Sequence, residues 1–378
     1  MPNQSQEIGA LINALEEKRG FDLHMLIGVD GFVDSIIHVV DRRQDFENFT
    51  RIETISDFGK RILNAVGLSA NLEFVTVQTK LGGNGPIYSN ALIEYGVKLT
   101  YFGAIGDEAV NPVFSNIEQK GELVYPLATP GLTDCLEFLD GKLMLGKLTS
   151  LADITWEAVV KAFGGVPALA KKIAASDLLG MENWTMIPRM NDIWQHIISE
   201  VFPLLPDREQ KPVVFFDLAD PEKRTKEDIS EAMALIGKFE QKFHAILGLN
   251  EKELYEIADV LGVNHEGTGR EQLEKTACGV YDKLGIYCMV AHPTKEAVCV
   301  VNGEFYQADG PYCAKPVLVT GAGDNFNAGF CLGQALGLDP KSALLLGVGT
   351  SGYYVRNAHS PSYEQELEFL TQWQAGKI

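Results

Sequence analysis

Apolar and polar positions keep two different rhythms along this 378-residue chain. In the first 150 residues extended runs dominate. Residues 23–29 are almost continuously apolar, which predicts a buried strand. Residues 35–40 read as extended, and 74–79 alternate apolar and polar like a half-exposed strand. Residues 97–102 predict the next strand. Asp140-Gly141 separates two further extended runs, 135–139 and 142–145, the signature of a hairpin. Helical spacing is confined here to short stretches, 11–19, 58–66 and 87–95. Beyond residue 150 strands and helices alternate. Helices are predicted over 156–173 (with a break at Gly164-Gly165), 190–201 and 226–242. Strands are predicted over 177–180, 213–216 and 245–247, then over 286–291 and 297–301, with Asn302-Gly303 turning the last into 304–307. Residues 316–320 read as a further strand leading into a helix near Asp324. A last helix, 341–354, follows Asp339-Pro340. Such alternation implies a doubly wound, mainly parallel α/β sheet. The strands that do not alternate with helices, at about 35–40, 74–80 and 134–148, are expected to form a small antiparallel β lid inserted into one domain of residues 1–378.

Composition narrows the partners. Hydrophobic residues make up 46% of the chain and charged residues 22%, so a packed core is expected and not a disordered chain. The net charge is −19. That argues against nucleic acid, because binding along phosphates needs a basic surface. A small nucleotide held by local glycine loops remains compatible. The six cysteines show no C-x-x-C spacing and read as reduced thiols. No apolar run reaches membrane-spanning length, and the polar first residues lack a signal-peptide pattern. The expected location is the cytoplasm, with no membrane partner.

Candidate chemistry lies where apolar runs end in glycines. Gly321-Ala322-Gly323 precedes a helix, so backbone N–H groups and the helix dipole converge on one point and make an anion site. Asp324 follows at once. A carboxylate beside an anion is electrostatically unfavourable unless it has a proton to remove, which points to a general base in phosphoryl transfer to a hydroxyl. Asp30 and Asp34 flank a glycine turn after the first strand, where a carboxylate can accept hydrogen bonds from sugar hydroxyls. Each can also be read as a turn aspartate or helix cap, Asp30 more so than Asp34. Gly82-Gly83-Asn84-Gly85-Pro86 is a second such turn, and Asn84 can pair with a polyol. Asn250 and Glu253 have the spacing of a helix cap, or of groups holding the water shell of a phosphate-bound Mg²⁺. Gly141 to Leu148 copies P-loop spacing (Gly141, Gly146, Lys147) but ends in Leu148 where a Ser or Thr should stand. It also begins at a hairpin turn, so it is not read as a nucleotide site.

Taken in order, Asp34, Gly82-Gly83-Asn84-Gly85, Asn250 with Glu253, and Gly321-Ala322-Gly323-Asp324 resemble the PfkB carbohydrate kinases of the ribokinase-like superfamily, over residues 23–355. The resemblance implies a small β lid closing over a sugar or polyol, with ATP as donor of a γ-phosphoryl group and Mg²⁺ as cofactor. It assigns Asp324 as base, and Gly321, Ala322 and Gly323 as anion hole. Asn250 and Glu253 become the metal and phosphate motif, Glu253 acting through water. Asp34 or Asp30, with Gly82, Gly83 and Asn84, become sugar contacts. It also allows a homodimer joined through lid strands. Three departures stand out. Leu318 replaces an acidic residue tied to a monovalent-cation site. Ile87 stands where ribose-specific members carry Asn. Residues 291–294 lack the usual glycine of their strand turn and, like Gly82 to Ile87, somewhat resemble the ADP-dependent sugar kinases of the same superfamily, which keeps ADP open as donor. A nucleoside kinase of the same fold, or a non-catalytic sugar or nucleotide sensor, are the alternatives.

Overall fold

The computed structural model describes residues 4–378. Among them the strands, in chain order, are β1 (His24–Val29), β2 (Phe32–Arg43), β3 (Phe49–Arg51), β4 (Phe74–Gly82), β5 (Lys98–Gly103), β6 (Leu123–Pro126), β7 (Gly131–Phe138), β8 (Gly141–Lys147), β9 (Leu178–Met181), β10 (Val213–Asp217), β11 (His244–Leu249), β12 (Cys288–Ala291), β13 (Glu296–Val301) and β14 (Glu304–Asp309). Nine of them form one sheet in the order β14-β13-β12-β11-β10-β9-β1-β5-β6. Every pairing from β12 to β6 is parallel, and β13 and β14 close one edge antiparallel. Side chains of β1 enter two cores in turn. Met25 and Ile27 join Tyr101, Phe215 and Phe330, whereas Leu26 and Val29 join Phe102, Trp184 and Phe216. A strand buried on both faces reads as a continuous apolar run, which is why 23–29 shows no alternation.

The sheet order reverses at β1. The chain leaves it for β5 and β6 on one side, then returns to β9 and continues through β10, β11 and β12 on the other. A reversal of this kind opens a crevice at the strands' carboxyl ends.

Five strands make the smaller sheet, ordered β3-β2-β7-β8 with β4 also on β2. It is antiparallel except at β2 and β7, which run parallel. Periodicity within a strand says which face is wet, not which neighbour it takes. The Asp140-Gly141 hairpin is present, Phe138 pairing with Gly141. One turn differs from expectation. Only Asp30 and Gly31 separate β1 from β2, so Asp34 lies inside β2 and not in the turn. Gly31 is required there, because a Cβ would run into the Ala104 carbonyl. Helix α1 (Ile55–Leu63), capped by Thr54, buries Phe58 against Ile37, Val39, Leu136 and Phe138 and so covers part of one face of this sheet.

Four more helices matter for the crevice: α2 (Asn84–Glu94), α3 (Glu251–Leu261), α4 (Ala322–Ala335) and α5 (Pro340–Asn357). The strand expected over 316–320 is absent. Instead the amide of Val317 donates to the Val355 carbonyl at 2.8 Å. Val355 lies in the last turn of α5, where carbonyls lack helical partners, so the segment is strapped to a helix end and forms no ladder. Among the described residues the six cysteines are free, and no helix is long and apolar enough to cross a membrane.

Candidate active site

The crevice collects one carboxylate from each of four parallel strands. Asp30 follows β1, Glu182 follows β9, Asp217 ends β10, and Glu253 opens α3 after β11. Asp324 is the third residue of α4, entered through Gly321 at φ 92°. That positive φ turns the chain sharply enough to aim the helix N-terminus into the crevice. All five residues are buried, none more than 8% exposed, and their charges act on one another. Burial, then the nearby Asp30 charge, push Asp324 up to about 8, while the Asn84 amide beside it pulls the other way.

The five are not alike in their partners. Asp30 accepts from the backbone amides of Asn84 (3.0 Å) and Gly85 (2.9 Å) and from Asn183 Nδ2 (2.8 Å). It therefore holds the N-terminus of α2, and burial still raises it to about 6. Gly85 has to be glycine, since a Cβ would lie 2.6 Å from both Asp30 Oδ1 and the Tyr101 hydroxyl. Glu253 accepts from the amides of Asp220 (2.9 Å) and Asn250 (2.8 Å), and Asn250 Oδ1 accepts from the Glu253 amide (3.0 Å). This is a complete capping box on α3. Asp217 accepts from Asn327 Nδ2 at 3.1 Å.

Glu182 has neither carboxylate oxygen hydrogen-bonded, although it is fully buried. Asn183 Oδ1 and Asn327 Oδ1 are orphaned in the same way. A buried carboxyl without partners is costly to hold charged, and burial, then the charges of Asp217, Asp324 and Asp30, push Glu182 well above the usual carboxylate range. Sequence reasoning passed over Glu182. Its one signal was a charged residue directly after the apolar run Leu178–Met181.

Asp34 stands on the other side, in β2, with burial raising its pKa against Thr133, Lys80 and Lys142. Gly82 lies so close that a Cβ would overlap the Asp34 carboxylate. Gly83, at φ 99°, makes the turn into α2 and brings Asn84 toward Asp324. The candidates of the first three motifs thus meet at one place, with Asn250 and Glu253 entering from β11.

Two cavities share the turn at 318–323. One, of about 540 Å³, has Asp34, Lys80, Asn90, Thr320 and Tyr354 on its walls beside Leu81 and Ile87. The other, of about 370 Å³, is lined by His292, Pro311, Tyr312, Gly323, Phe326 and Val348. Burial lowers the His292 imidazole to about 4, so it is neutral, and its ring packs 5.0 Å from Phe326. The turn itself is braced by protein donors. Tyr354 donates its hydroxyl to the Thr320 carbonyl (2.9 Å), and Asn325 Nδ2 donates to the Gly321 carbonyl (2.8 Å). Ser360 donates to Asn325 Oδ1 (2.7 Å).

A family model described as prokaryotic ketohexokinase matches residues 15–373. A ketohexokinase of Haloferax volcanii is 28% identical over 350 residues, covering 92% of this chain and 90% of the relative. The solved ribokinase of Thermotoga maritima superposes with a TM-score of 0.62 at 17% identity, over 93% of this chain and 100% of that one. Ribokinase of Arabidopsis thaliana, solved with ribose and ATP, gives 0.61 at 16%, over 92% and 98%. Phosphofructokinase-2 of Escherichia coli, solved with substrates and products, gives 0.63 at 13%, over 93% and 98%. At these identities the solved structures establish a shared ribokinase-like fold.

Proposed function

We propose, because this chain belongs to the prokaryotic ketohexokinase family of PfkB-type carbohydrate kinases, that it transfers the γ-phosphoryl group of ATP to a hydroxyl of a ketohexose. The observation that carries the mechanism is Asp324, a buried carboxyl raised to about 8 and set at a helix N-terminal turn. In this reading the sugar lies between Asp34, Asn84 and Asp324. Glu182, with both oxygens unpaired, supplies a further acceptor for its hydroxyls. Asp30 is left to position Asn84. The nucleotide base takes the cavity beside His292 and Phe326, which points its phosphates at Gly321, Ala322 and Gly323. The small sheet acts as a lid that excludes water.

Asp324 removes the proton of the acceptor hydroxyl as its oxygen bonds to phosphorus. The bond from that phosphorus to the bridging oxygen of ADP breaks, and ADP leaves with the electron pair. The backbone N–H groups of 321–323 stabilise the charge on the equatorial oxygens. The residues at the crevice fit Mg²⁺ held through water: the donors are all oxygens, and Asn327 Oδ1 is unpaired. Among the described residues no three His, Cys, Asp or Glu side chains are grouped to bind a metal directly. Asp217 and Glu253 would hold its water shell. Bound there, Mg²⁺ would neutralise the donor phosphates.

The test is a coupled assay of ketohexoses, aldoses and nucleosides with ATP and with ADP. Turnover of a ketohexose with ATP is expected to exceed the others by at least about tenfold. A preference for a nucleoside, for ADP, or binding without turnover would overturn the reading in favour of the corresponding alternative. A second expectation concerns cations. The Thr320 and Gly321 carbonyls already accept from Tyr354 and Asn325, and Leu318 offers no charge. Turnover with choline as the only monovalent cation should match that in K⁺ within about twofold, and activation by K⁺ of about tenfold would contradict the protein-braced turn.

A further inference from the structure

The hairpin stretch that imitates a P-loop carries two lysines that the proposed mechanism does not use: Lys147 pairs with Asp134, and Lys142 reaches the anion turn. Lys142 is the second residue of β8, and its Nζ hydrogen-bonds to Thr320 Oγ1, the residue directly before Gly321. This bond joins the small sheet to the anion turn across 178 positions of sequence. The register explains the aim. Lys142 pairs with Glu137, and Asp34 pairs with Thr133. Thr133, Cys135 and Glu137 share one face of β7, because side chains alternate along a strand. Lys142 and Asp34 therefore lie on the same face of the small sheet, the face turned to the crevice.

The crevice needs such a group. Among the described residues, no Lys or Arg forms an ion pair with Asp30, Glu182, Asp217, Glu253 or Asp324. A transferred phosphoryl group would enter a site of five carboxyls with only backbone N–H groups facing it on the α4 side. A cation on the opposite, lid side would balance the charge that spreads over its oxygens. Lysine suits this place, being a flexible point charge that can follow a moving sheet.

We propose that Lys142 is a catalytic residue of the lid, which leaves the Thr320 hydroxyl to contact an oxygen of the transferred phosphoryl group when the lid closes over the sugar. The proposal rests on the phosphoryl-transfer reading above. It couples closure to chemistry: the anion site is complete only when β8 lies against the turn.

Full-length Lys142→Met, Lys142→Arg and Thr320→Val proteins test it. Lys142 is exposed, so melting temperatures should stay at the wild-type value. Lys142→Met should lower kcat by about 10²–10³ while KM for the sugar changes by less than about threefold, and Lys142→Arg should regain part of the loss. Thr320→Val should keep kcat within about threefold, since Thr320 only parks the lysine. A second readout needs no turnover. Tetrafluoroaluminate added with Mg²⁺ and the sugar should tighten ADP binding in the wild type, and Lys142→Met should lose that tightening. The proposal is overturned if Lys142→Met keeps kcat or the tightening within about threefold, or if Lys142→Arg is no better than Lys142→Met. If the wild type phosphorylates none of the acceptors yet shows the tightening, the substrate reading fails and Lys142 stands. If it shows neither, both fall.

Discussion

Asp324→Asn is expected to lower kcat by about 10²–10⁴ and to leave KM for the sugar within about threefold. Asn has the same shape and can still pair with the Asn84 amide, so the site should keep its geometry and lose only the base. The same substitution should stabilise the fold. In the folded chain Asp324 is raised to about 8 from an ordinary 3.8, first by burial and then by the Asp30 charge. Between those values the native state holds a proton that the unfolded chain does not, so unfolding free energy falls as pH rises from about 4 to 8. Asn carries no such penalty. The melting temperature of Asp324→Asn should therefore exceed that of the wild type by a margin that grows from pH 5 to pH 8. Lost rate with gained stability distinguishes a base held at a cost from a residue that merely supports the turn. Near-normal turnover of Asp324→Asn would remove Asp324 from the mechanism. The pH profile carries the same sign. The carboxylate is the active form, so kcat/KM, which reports the free enzyme, should rise with pH through an inflection near 8. Bound cations favour the carboxylate, so the inflection in kcat should lie lower.

Local chemistry was the legible part of the chain. The glycines at positions 31 and 82–85 marked real turns at a strand's carboxyl end, and Gly321 marked a real turn into α4 with no strand before it, because only a residue without a Cβ fits at Gly31, Gly85 or Gly321. The alternation after residue 150 showed the parallel sheet, and Asn302-Gly303 its antiparallel edge, with both residues at positive φ. Relations between distant segments were not legible. The parallel pairing of β2 with β7 leaves no trace in either strand's periodicity. Residues 316–320 have a strand's composition but lie against the end of α5, which offers carbonyls and no ladder. Glu182 follows four buried residues and was indistinguishable from any polar residue ending a strand. The P-loop spacing at 141–148 is a false motif, since β8 does not wrap an anion, and the reach of Lys142 to Thr320 depends on how distant segments face each other, which no local pattern encodes. The Asn250–Glu253 spacing left two readings, a helix cap and a metal motif. The cap is formed, and a carboxylate with one oxygen on each of two amides still has lone pairs free for water.

Asp30→Ala should have the largest effect on stability. Three donors converge on this carboxylate at 2.8–3.0 Å, and the Tyr101 hydroxyl fixes its backbone carbonyl at 2.6 Å. Alanine leaves the amides of Asn84 and Gly85 and the side chain of Asn183 without partners, the last two in buried surroundings. Each orphaned buried donor costs about 1–3 kcal/mol. The N-terminus of α2 also loses the anion that its dipole favours. Part of this is offset, because burial makes the charge itself unfavourable, as its rise to about 6 shows. A net loss of roughly 3 kcal/mol follows, read as a melting point lowered on the order of 5 °C. Asp30→Asn should fall between, since its oxygen can serve one amide while its NH₂ faces the other. The catalytic consequence has a definite direction. Asp30 is the largest charge raising Asp324, so removing it should move the inflection of kcat/KM to lower pH. A sugar ligand at this position would instead raise KM and leave melting nearly unchanged. An unshifted melting point with a KM increase of about tenfold would return Asp30 to the sugar site and displace Asp34 from it.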